Sequence, residues 1–271
     1  MEKAREFVLK IFKLLMKPEM RILPGQLAFF IVITIIPLVA LIATITAALS
    51  ISTDTVRFVI NSSVPHEVAN IIDTIITGDG INFNIIIFYF SAFLLASNGC
   101  YSMINTSNEI YKVKPRKFIP RRLKAISMTF ILVFLFLFLV LVPVFGTNIF
   151  DILVGLLGEG TITIILKKTL SILKYPIVII ILYLNIKLMY VIAPDKEIPS
   201  KSTNKGAMFT TLGWVLATEI FAFYIEKFAR YDIFYGSISN ILVLLLWVYL
   251  LSYIFVLGMV INAGDYKGEL E

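Results

Sequence analysis

The chain has 271 residues, of which 59% are hydrophobic and 15% are charged, and its formal net charge at pH 7 is +6. An ordinary soluble domain carries roughly 25% charged residues, so this composition excludes one. Several apolar stretches also reach the roughly 20 residues that a helix needs to cross a bilayer. The sequence therefore predicts an all-α, polytopic membrane protein.

The first 24 residues are basic, and Lys10, Lys13 and Lys17 interrupt their apolar positions. This segment lacks the continuous apolar run and the small-residue cleavage site of a secretory signal peptide. Two structures fit it: an amphipathic helix lying on an anionic membrane surface, or a solvated basic tail that only fixes the topology. We expect residues 1–24 to form a cytoplasmic, basic and amphipathic segment.

Apolar stretches predict a bundle of six transmembrane helices within one membrane domain at 25–264. Lysine and arginine are concentrated in the loops on one side of these helices, which the positive-inside rule makes the cytoplasmic side. Both termini are then cytoplasmic, including a short tail at 265–271. The predicted helices occupy residues 25–49, 85–108, 124–148, 172–193, 206–228 and 237–263.

Two stretches on the outer side are too apolar on one face to be plain loops. The first begins at Ser63 and reads SVPHEVANIIDTIITGDG, with apolar residues at helical spacing. The second reads IFDILVGLLGEGTITIILKKTL and is interrupted between Gly158 and Gly160. We expect both to form short amphipathic helices that lie at the outer interface or cap the bundle.

Residue types that carry catalysis or bind metals are scarce. Cys100 is the one cysteine and lies in an apolar stretch, which is typical of a small buried thiol. His66 is the one histidine, and without a cysteine partner it makes a poor zinc ligand. The sequence therefore predicts no catalytic residue, no metal site and no cofactor.

Polar residues cluster in one apolar helix, within LASNGCYSMINTSNEIY. Asn98, Ser102, Asn105 and Glu109 recur at helical spacing on one face, and Asn108 lies beside them. Amides facing lipid would leave hydrogen-bonding groups unsatisfied, so this face must meet other helices or water. It fits either hydrogen bonds between helices or a substrate path, and a central cavity open to the cytoplasm is the favoured interpretation.

Two further positions are candidates for function. Glu219 lies within the fifth predicted helix without a charged partner there, so it is assigned to the same substrate path. It could be protonated, paired with Lys187 of the fourth helix, or exposed to water in the cavity. Pro37, with Thr34 one turn earlier, is a candidate hinge because proline frees a backbone carbonyl and can kink a helix.

The C-terminal region reads FARYDIFYGSISNILVLLLWVYLLSYIFVLGMVINAG and resembles the YihY/BrkB family of bacterial inner-membrane proteins. The family typically shows a Tyr-Gly-Ser turn, a Trp-x-Tyr pair and a Gly-x-Glu-x-Asn end in this region. Val260 stands where the family usually has glutamate. The matching positions are Tyr235, Gly236, Ser237, Trp247, Tyr249, Gly258 and Asn262.

Further similarity to the family follows the same order along the chain. LAFFIVITIIPL is similar to its first helix, APDKEIPSKSTNKGA to the loop before its fifth, and NEIYKV, with Asn108 and Tyr111, to the end of its second. The resemblance implies six transmembrane helices with both ends inside a bacterial cell. It implies no settled activity, since transport of small solutes or lipid-like molecules has been suggested and some members have carried a ribonuclease label.

These features separate three functions. Ribonuclease activity is disfavoured because metal-dependent hydrolysis needs clustered carboxylates or histidines. The basic stretch YKVKPRKFIPRRLK is explained by topology and by anionic lipid headgroups, so no nucleic-acid partner is predicted. A transporter of a small or lipid-like molecule is favoured over a scaffold that binds lipids or partner proteins, and the oligomeric state stays open.

Overall fold

The computed structural model describes residues 19–48, 69, 85–134, 161–227 and 235–266, and these residues contain helices and connecting turns but no strand. The prediction of an all-α protein is confirmed for this part of the chain. Short 3-10 turns, Ser200–Thr203 and Gly236–Ile238, precede the last two helices. The helices are α1 (Glu19–Ala48), α2 (Ile85–Tyr111), α3 (118–134), α4 (Thr161–Ile192), α5 (Asn204–Lys227) and α6 (Ser239–Tyr266).

Length and composition allow two of the described helical segments to cross a membrane, Ser200–Lys227 and Ser239–Gly264. Two shorter apolar helical stretches, Met20–Thr34 and Pro176–Ile192, lie in α1 and α4. The number of six transmembrane helices therefore stays a prediction. The N-terminal residues 1–18, the outer stretch at 63–80 apart from Ala69, residues 135–160 and those after Tyr266 lie outside the described part.

Two helices begin earlier in the chain than the sequence predicted. Helix α1 includes Glu19 and Met20, ahead of the predicted start at residue 25, because Met20 and Leu27 both pack into the core. Helix α3 begins at residue 118 rather than 124. Pro120 then falls in the first turn, where proline is tolerated. The arginines at its start therefore lie on a helix and not in a loop.

Helix α4 differs most from its prediction. The structure continues one helix from Thr161 to Ile192, where the sequence suggested an outer helix followed by a spanning helix beginning at residue 172. No glycine lies between Gly160 and residue 172, where the fourth spanning helix was predicted to begin. The lysines in this stretch lower its hydropathy but do not interrupt the helix. Pro176 lies inside α4. Its 32 residues make a helix about 48 Å long at 1.5 Å per residue.

The helices pack around α1 and α6. Helix α1 packs on α2 and α6, while α5 packs on α4 and α6. Large side chains from separate helices fill the centre, including Leu27, Ile104, Met128, Tyr190 and Met259. The outward faces are also apolar, and the exposed side chains include Phe29, Phe90, Phe130, Leu216 and Ile241. Apolar surface on both sides of the helices indicates a bundle that is surrounded by lipid.

Helices α5 and α6 approach closely because glycines face each other across their contact. A Cβ atom added to Gly206 would overlap the carbonyl oxygen of Gly258, and one added to Gly258 would overlap the Thr210 hydroxyl. The N–H of Gly206, near the start of α5, donates to Oδ1 of Asn262 at 2.7 Å. The Tyr190 hydroxyl lies 2.6 Å from Oγ1 of Thr210. The glycines therefore allow the helices to approach closely enough for these polar contacts to form.

We predict that Gly206→Ala lowers the free energy of unfolding by about 2–3 kcal/mol, because the added methyl group must displace the backbone of α6. Gly25→Ala is the matched control, since its Cβ would lie 3.9 Å from Cε2 of Tyr249. The control should change stability by less than about 1 kcal/mol. Unfolding of the purified protein in detergent measures both variants, and equal losses would contradict this packing.

Candidate functional site

The end of α2 is fixed by a helix-capping motif. Lys112 adopts a left-handed backbone conformation with a φ angle of 53°. The N–H of Val113 donates to the carbonyl of Asn108 at 2.9 Å, and the N–H of Lys112 donates to that of Glu109 at 3.2 Å. This pair of bonds is typical of a Schellman motif, in which glycine usually occupies the left-handed position. The motif turns the chain away from the helix axis just after Asn108.

Asn108 and Asp195 form a reciprocal pair that joins α2 to the loop after α4. Nδ2 of Asn108 donates to Oδ2 of Asp195 at 2.8 Å, and the backbone N–H of Asp195 donates to Oδ1 of Asn108 at 2.8 Å. Asn108 is 4% exposed, and the Asp195 carboxylate is fully buried. Each buried group thereby obtains the partner that offsets its desolvation.

A lysine and a backbone amide complete the surroundings of the Asp195 carboxylate. Nζ of Lys124 lies 3.1 Å from Oδ1 and also donates to two carbonyl oxygens of the same loop at 3.0 and 2.6 Å. The backbone N–H of Arg116 donates to Oδ2 at 3.1 Å. Burial opposes ionisation of Asp195, but the hydrogen bonds from Arg116, Asn108 and Lys124 outweigh it and lower the pKa of the carboxyl.

A cavity of about 270 Å³ opens beside this network. Three cations and one carboxylate contribute to its walls: Arg116, Lys124, Lys196 and Glu197. The asparagines of α2, which the sequence placed along a central cavity, are not among its lining residues. This cavity therefore adjoins the partner of Asn108 and does not follow the polar face of α2.

The other two asparagines of the polar face contact arginines of α3. Nη1 of Arg122 donates to Oδ1 of Asn98 at 2.7 Å, and Nη1 of Arg121 donates to Oδ1 of Asn105 at 3.0 Å. Both guanidinium groups also lie over the Tyr101 ring, at 5.0 Å for Arg121 and 6.0 Å for Arg122. The structure thus brings Asn98, Asn105 and Asn108 together with charged groups from elsewhere in the chain.

Three hydroxyl groups on α2 differ from those asparagines in having no partner. Ser102, Thr106 and Ser107 are each 1% exposed, and their hydroxyl oxygens make no hydrogen bond within the described residues. Other buried hydroxyls donate to a carbonyl one turn earlier, as Thr129 does to Ala125 at 2.9 Å and Thr211 to Ala207 at 2.8 Å. Ser252 of α6 is the other buried serine without a partner in the described part of the chain. Three unsatisfied hydroxyls in two turns of one helix need an explanation.

The two acidic residues predicted for the site lie outside the network. Glu109 is exposed at the end of α2, and Glu219 is exposed on α5. Lys187, considered as a partner for Glu219, has its Nζ 6.0 Å from the centre of the Tyr183 ring. No salt bridge joins Glu219 to Lys187 in the described part of the chain, so that pairing is not adopted.

The predicted hinge lies where α1 meets α2. The Thr34 hydroxyl donates to the carbonyl of Ile31 at 2.8 Å, and a Cβ at Gly99 would lie 3.1 Å from that hydroxyl. Thr34 thus packs directly against the polar helix. Helix α1 continues through Pro37. A hinge at this position stays a prediction.

The positions that carry the family resemblance are distributed over the C-terminal half and the end of α2. Tyr111 is buried with its ring 6.2 Å from that of Tyr266. Nε1 of Trp247 donates to Oγ1 of Thr218 at 3.3 Å. Tyr249 is half-exposed on α6.

The Tyr-Gly-Ser turn lies at the start of the 3-10 turn before α6. Tyr235 precedes this turn and is exposed, and Gly236 begins it with a φ of 52°. That left-handed conformation favours glycine, which explains one residue of the motif. The backbone of Ser237 follows within the same turn.

Sequence reasoning missed the charged half of the network. Arg121 and Arg122 were assigned to the loop before the third predicted helix and Lys124 to the first residue of that helix, and their charges served only to set topology. Asp195 was part of the loop before the fifth helix and was given no role. One signal was present: an acidic residue directly after a spanning helix, in a loop rich in lysine, is an obvious counter-ion for a nearby cation. Nothing in the sequence placed Asn108 beside it.

The described residues contain no group of three or more histidine, cysteine, aspartate or glutamate side chains that could hold a metal ion. The polar groups brought together are instead amides, hydroxyls, two arginines and a lysine–aspartate pair. Such groups bind anions and polar molecules or join helices. Together with the apolar outer surface, they define an all-helical membrane protein.

Comparison with known proteins gives the family. The family model described as virulence factor BrkB matches residues 12–267. The ribonuclease-like protein YfkH of Bacillus subtilis is 32% identical over 251 residues, which cover 90% of this chain and 89% of that relative. The chain belongs to the BrkB family of membrane proteins, so the resemblance seen in the sequence is confirmed.

Shorter matches connect the chain to membrane proteins of the group UPF0761. The relative from Kangiella koreensis is 29% identical over 101 residues, which are 37% of this chain and 25% of that protein. The relative from Yersinia pestis is 31% identical over 93 residues, 34% of this chain and 32% of that protein. These matches span about a quarter to a third of the relatives' length. No solved structure matches the chain significantly.

The lowered pKa of Asp195 predicts how stability depends on pH. The unfolded carboxyl titrates at about 3.9, so the stabilisation is complete above about pH 4 and is lost as pH falls through the lower folded-state value. Asp195→Asn should be less stable than wild type at pH 7, and the difference should shrink on acidification. Glu197→Gln, two residues away and exposed, is the control. Unfolding between pH 7 and pH 3 measures this, and a difference independent of pH would contradict it.

Proposed function

We propose that the protein is a multi-pass transporter of the bacterial inner membrane, with both termini in the cytoplasm. It moves a small solute or a lipid-like molecule along the polar face of α2. Family membership and the apolar outer surfaces of the helices support a membrane location. Family membership and a membrane location do not define an activity, so the activity is inferred from the site.

One observation carries the proposal: the unpartnered hydroxyls of Ser102 and Thr106, which lie four residues apart on one side of α2. A hydroxyl used only to join helices would accept or donate a hydrogen bond across the contact. A hydroxyl on a transport path exchanges its hydrogen bonds between water and the passing solute, so it has no fixed protein partner. Two such groups one turn apart on the polar side of the helix fit a path better than a static contact.

The arginine–asparagine bonds fit the same proposal as closing contacts. Asn98 and Asn105 lie on the same face as Ser102 and are held by Arg122 and Arg121. Arginine side chains are long and can move away without disturbing the backbone of either helix. A solute that offers polar groups to the asparagines would replace these bonds during passage.

A scaffold that binds lipids or partner proteins is the second candidate. The observation that favours it is that Asn98, Asn105 and Asn108 all bond to protein groups. In that case α2 is tied to its neighbours and encloses no path. The ribonuclease-like name of the Bacillus relative is not carried over, because no arrangement of the described residues supports catalysis.

Thiol labelling distinguishes a wetted path from a dry contact. In a Cys100→Ala background, cysteines replace Ser102 and Thr106, and a membrane-impermeant thiol reagent is added from either side. We expect both to react at least about tenfold faster than a cysteine at Ile104, because water reaches only the polar face. Ile104 is the control because it is 0% exposed and lies between them on α2. Equally slow reaction at all three positions would favour the scaffold.

Transport itself is tested in proteoliposomes, by osmotic swelling with small solutes and by dithionite quenching of a fluorescent phospholipid. Thr106→Val removes an unpartnered hydroxyl and should lower the active flux about tenfold, as loss of a polar path contact would. Thr129→Val removes a hydroxyl bonded within its own helix and should leave flux within about twofold. Absence of flux in both wild-type assays would contradict transport of either class.

A further inference from the structure

Two neighbouring arginines at the start of α3 lie beside a single tyrosine ring. Arg121 and Arg122 have their guanidinium carbons 5.0 and 6.0 Å from the centre of the Tyr101 ring. Their hydrogen bonds within the described residues go to Oδ1 of Asn105, Oδ1 of Asn98 and the carbonyl oxygen of Leu94, at 3.0, 2.7 and 2.9 Å. All three acceptors are neutral. The two positively charged guanidinium groups are therefore held close together by neutral carbonyl oxygens and by the Tyr101 ring.

No carboxylate neutralises these arginines within the described residues. Asp195, the buried acid of this region, is taken by Lys124 and by the backbone of Arg116. Nε of Arg121 is buried and has no hydrogen-bond acceptor in the described structure. Each guanidinium offers five N–H donors, so most of them are left for another acceptor. Within the described part of the chain, the two positive charges are therefore not neutralised and most of the N–H donors have no acceptor. A bound anion would satisfy both.

The surface around the arginines is apolar. Phe118, Ile119 and Leu123 of α3 are 64%, 68% and 59% exposed, and Leu95 of α2 is 49% exposed. The Phe118 ring also packs edge-on against Tyr101, at a centroid distance of 6.2 Å. Paired cations bordered by large apolar side chains match the boundary between phosphate groups and acyl chains in a membrane.

We propose that Arg121, Arg122 and Tyr101 form a binding site for one phosphate group. Guanidinium groups bind phosphate oxygens through paired, charge-assisted hydrogen bonds, which is why arginine suits this ligand. The phosphate belongs to an anionic lipid headgroup or to a soluble phosphate compound, and the recognition chemistry is the same for both. The inference does not rest on the transport proposal, although both involve Arg121 and Arg122, since a scaffold would hold the ligand equally well.

The test titrates full-length protein in detergent with phosphatidylglycerol and measures bound lipid by native mass spectrometry. Arg121→Gln with Arg122→Gln should weaken binding about tenfold or more, because charged hydrogen bonds are lost. Lys114→Gln with Lys117→Gln is the matched control, since these exposed lysines in the preceding segment carry the same total charge. The control should weaken binding by less than about twofold.

Inorganic phosphate distinguishes the two sources of the ligand. If millimolar phosphate displaces phosphatidylglycerol both from wild type and from the lysine-pair control, which keeps the two arginines, the site accepts soluble phosphate. If it does not displace the lipid while the arginine variant still loses binding, the site requires a lipid headgroup. Both results support the site. Equal weakening by the arginine and lysine variants, or no weakening by the arginine variant, overturns it.

A second variant guards against loss of folding. Arg121→Lys with Arg122→Lys keeps both charges but removes the planar donor groups, so binding should weaken about threefold while the unfolding temperature stays near that of wild type. Binding unchanged in this variant, together with an unfolded glutamine variant, would show that charge alone suffices and would overturn the arginine site.

Discussion

A polar group enclosed among apolar helices must find its partner within the protein, and the reciprocal pair of Asn108 and Asp195 shows how this chain meets that requirement. An amide side chain satisfies both the carboxylate and the backbone N–H of one residue. Lys124 neutralises the carboxylate by contacting Oδ1, and the backbone N–H of Arg116 donates to Oδ2. The end of α2, the segment after it and the start of α3 thereby meet the loop after α4 at one buried carboxylate, and the positions of α2, α3 and that loop depend on it.

A second group of contacts fastens the neighbouring end of the bundle without using charge. The start of α5 is held by Asn262 of α6 through the N–H of Gly206, and the rings of Tyr111 and Tyr266 meet beside it. These contacts involve the end of α2, the start of α5 and the end of α6, so the end of α2 takes part in both groups of contacts. The described polar contacts are thus concentrated at the end that the charge distribution assigns to the cytoplasm. The unpartnered hydroxyls of α2 lie directly next to this fastened end.

The sequence predicted most of the helices, because long apolar stretches have few alternatives to helix. It also predicted that the polar residues of α2 would face inward, since amides avoid hydrocarbon. The predicted helix bounds were wrong where charged residues were taken to mark the end of a helix. Arg121 and Arg122 were placed in the basic loop between the second and third predicted helices, yet a helix readily carries arginine on a face that meets polar partners. The continuous helix α4 was divided for the same reason.

Contacts between residues of different helices could not be predicted from local sequence patterns. Asp195 and Asn108 are separated by 87 positions in sequence, and only packing brings them together. Glu219 was assigned to the interior because a carboxylate in a spanning helix is costly in lipid, but the fold turns that face of α5 outward. Spacing along one helix fixes which residues share a face. It does not fix which way the face points.

The length of α4 has a mechanical consequence. At about 48 Å it exceeds the roughly 30 Å hydrocarbon thickness, and even a tilt of about 40° leaves a projection near 37 Å. In the predicted transmembrane orientation, at least one turn of α4 would stand clear of the lipid tails. A change in tilt of about 10° about one end of the helix would then carry its other end through about 8 Å, so a small adjustment at one surface of the membrane would become a large sideways displacement at the other.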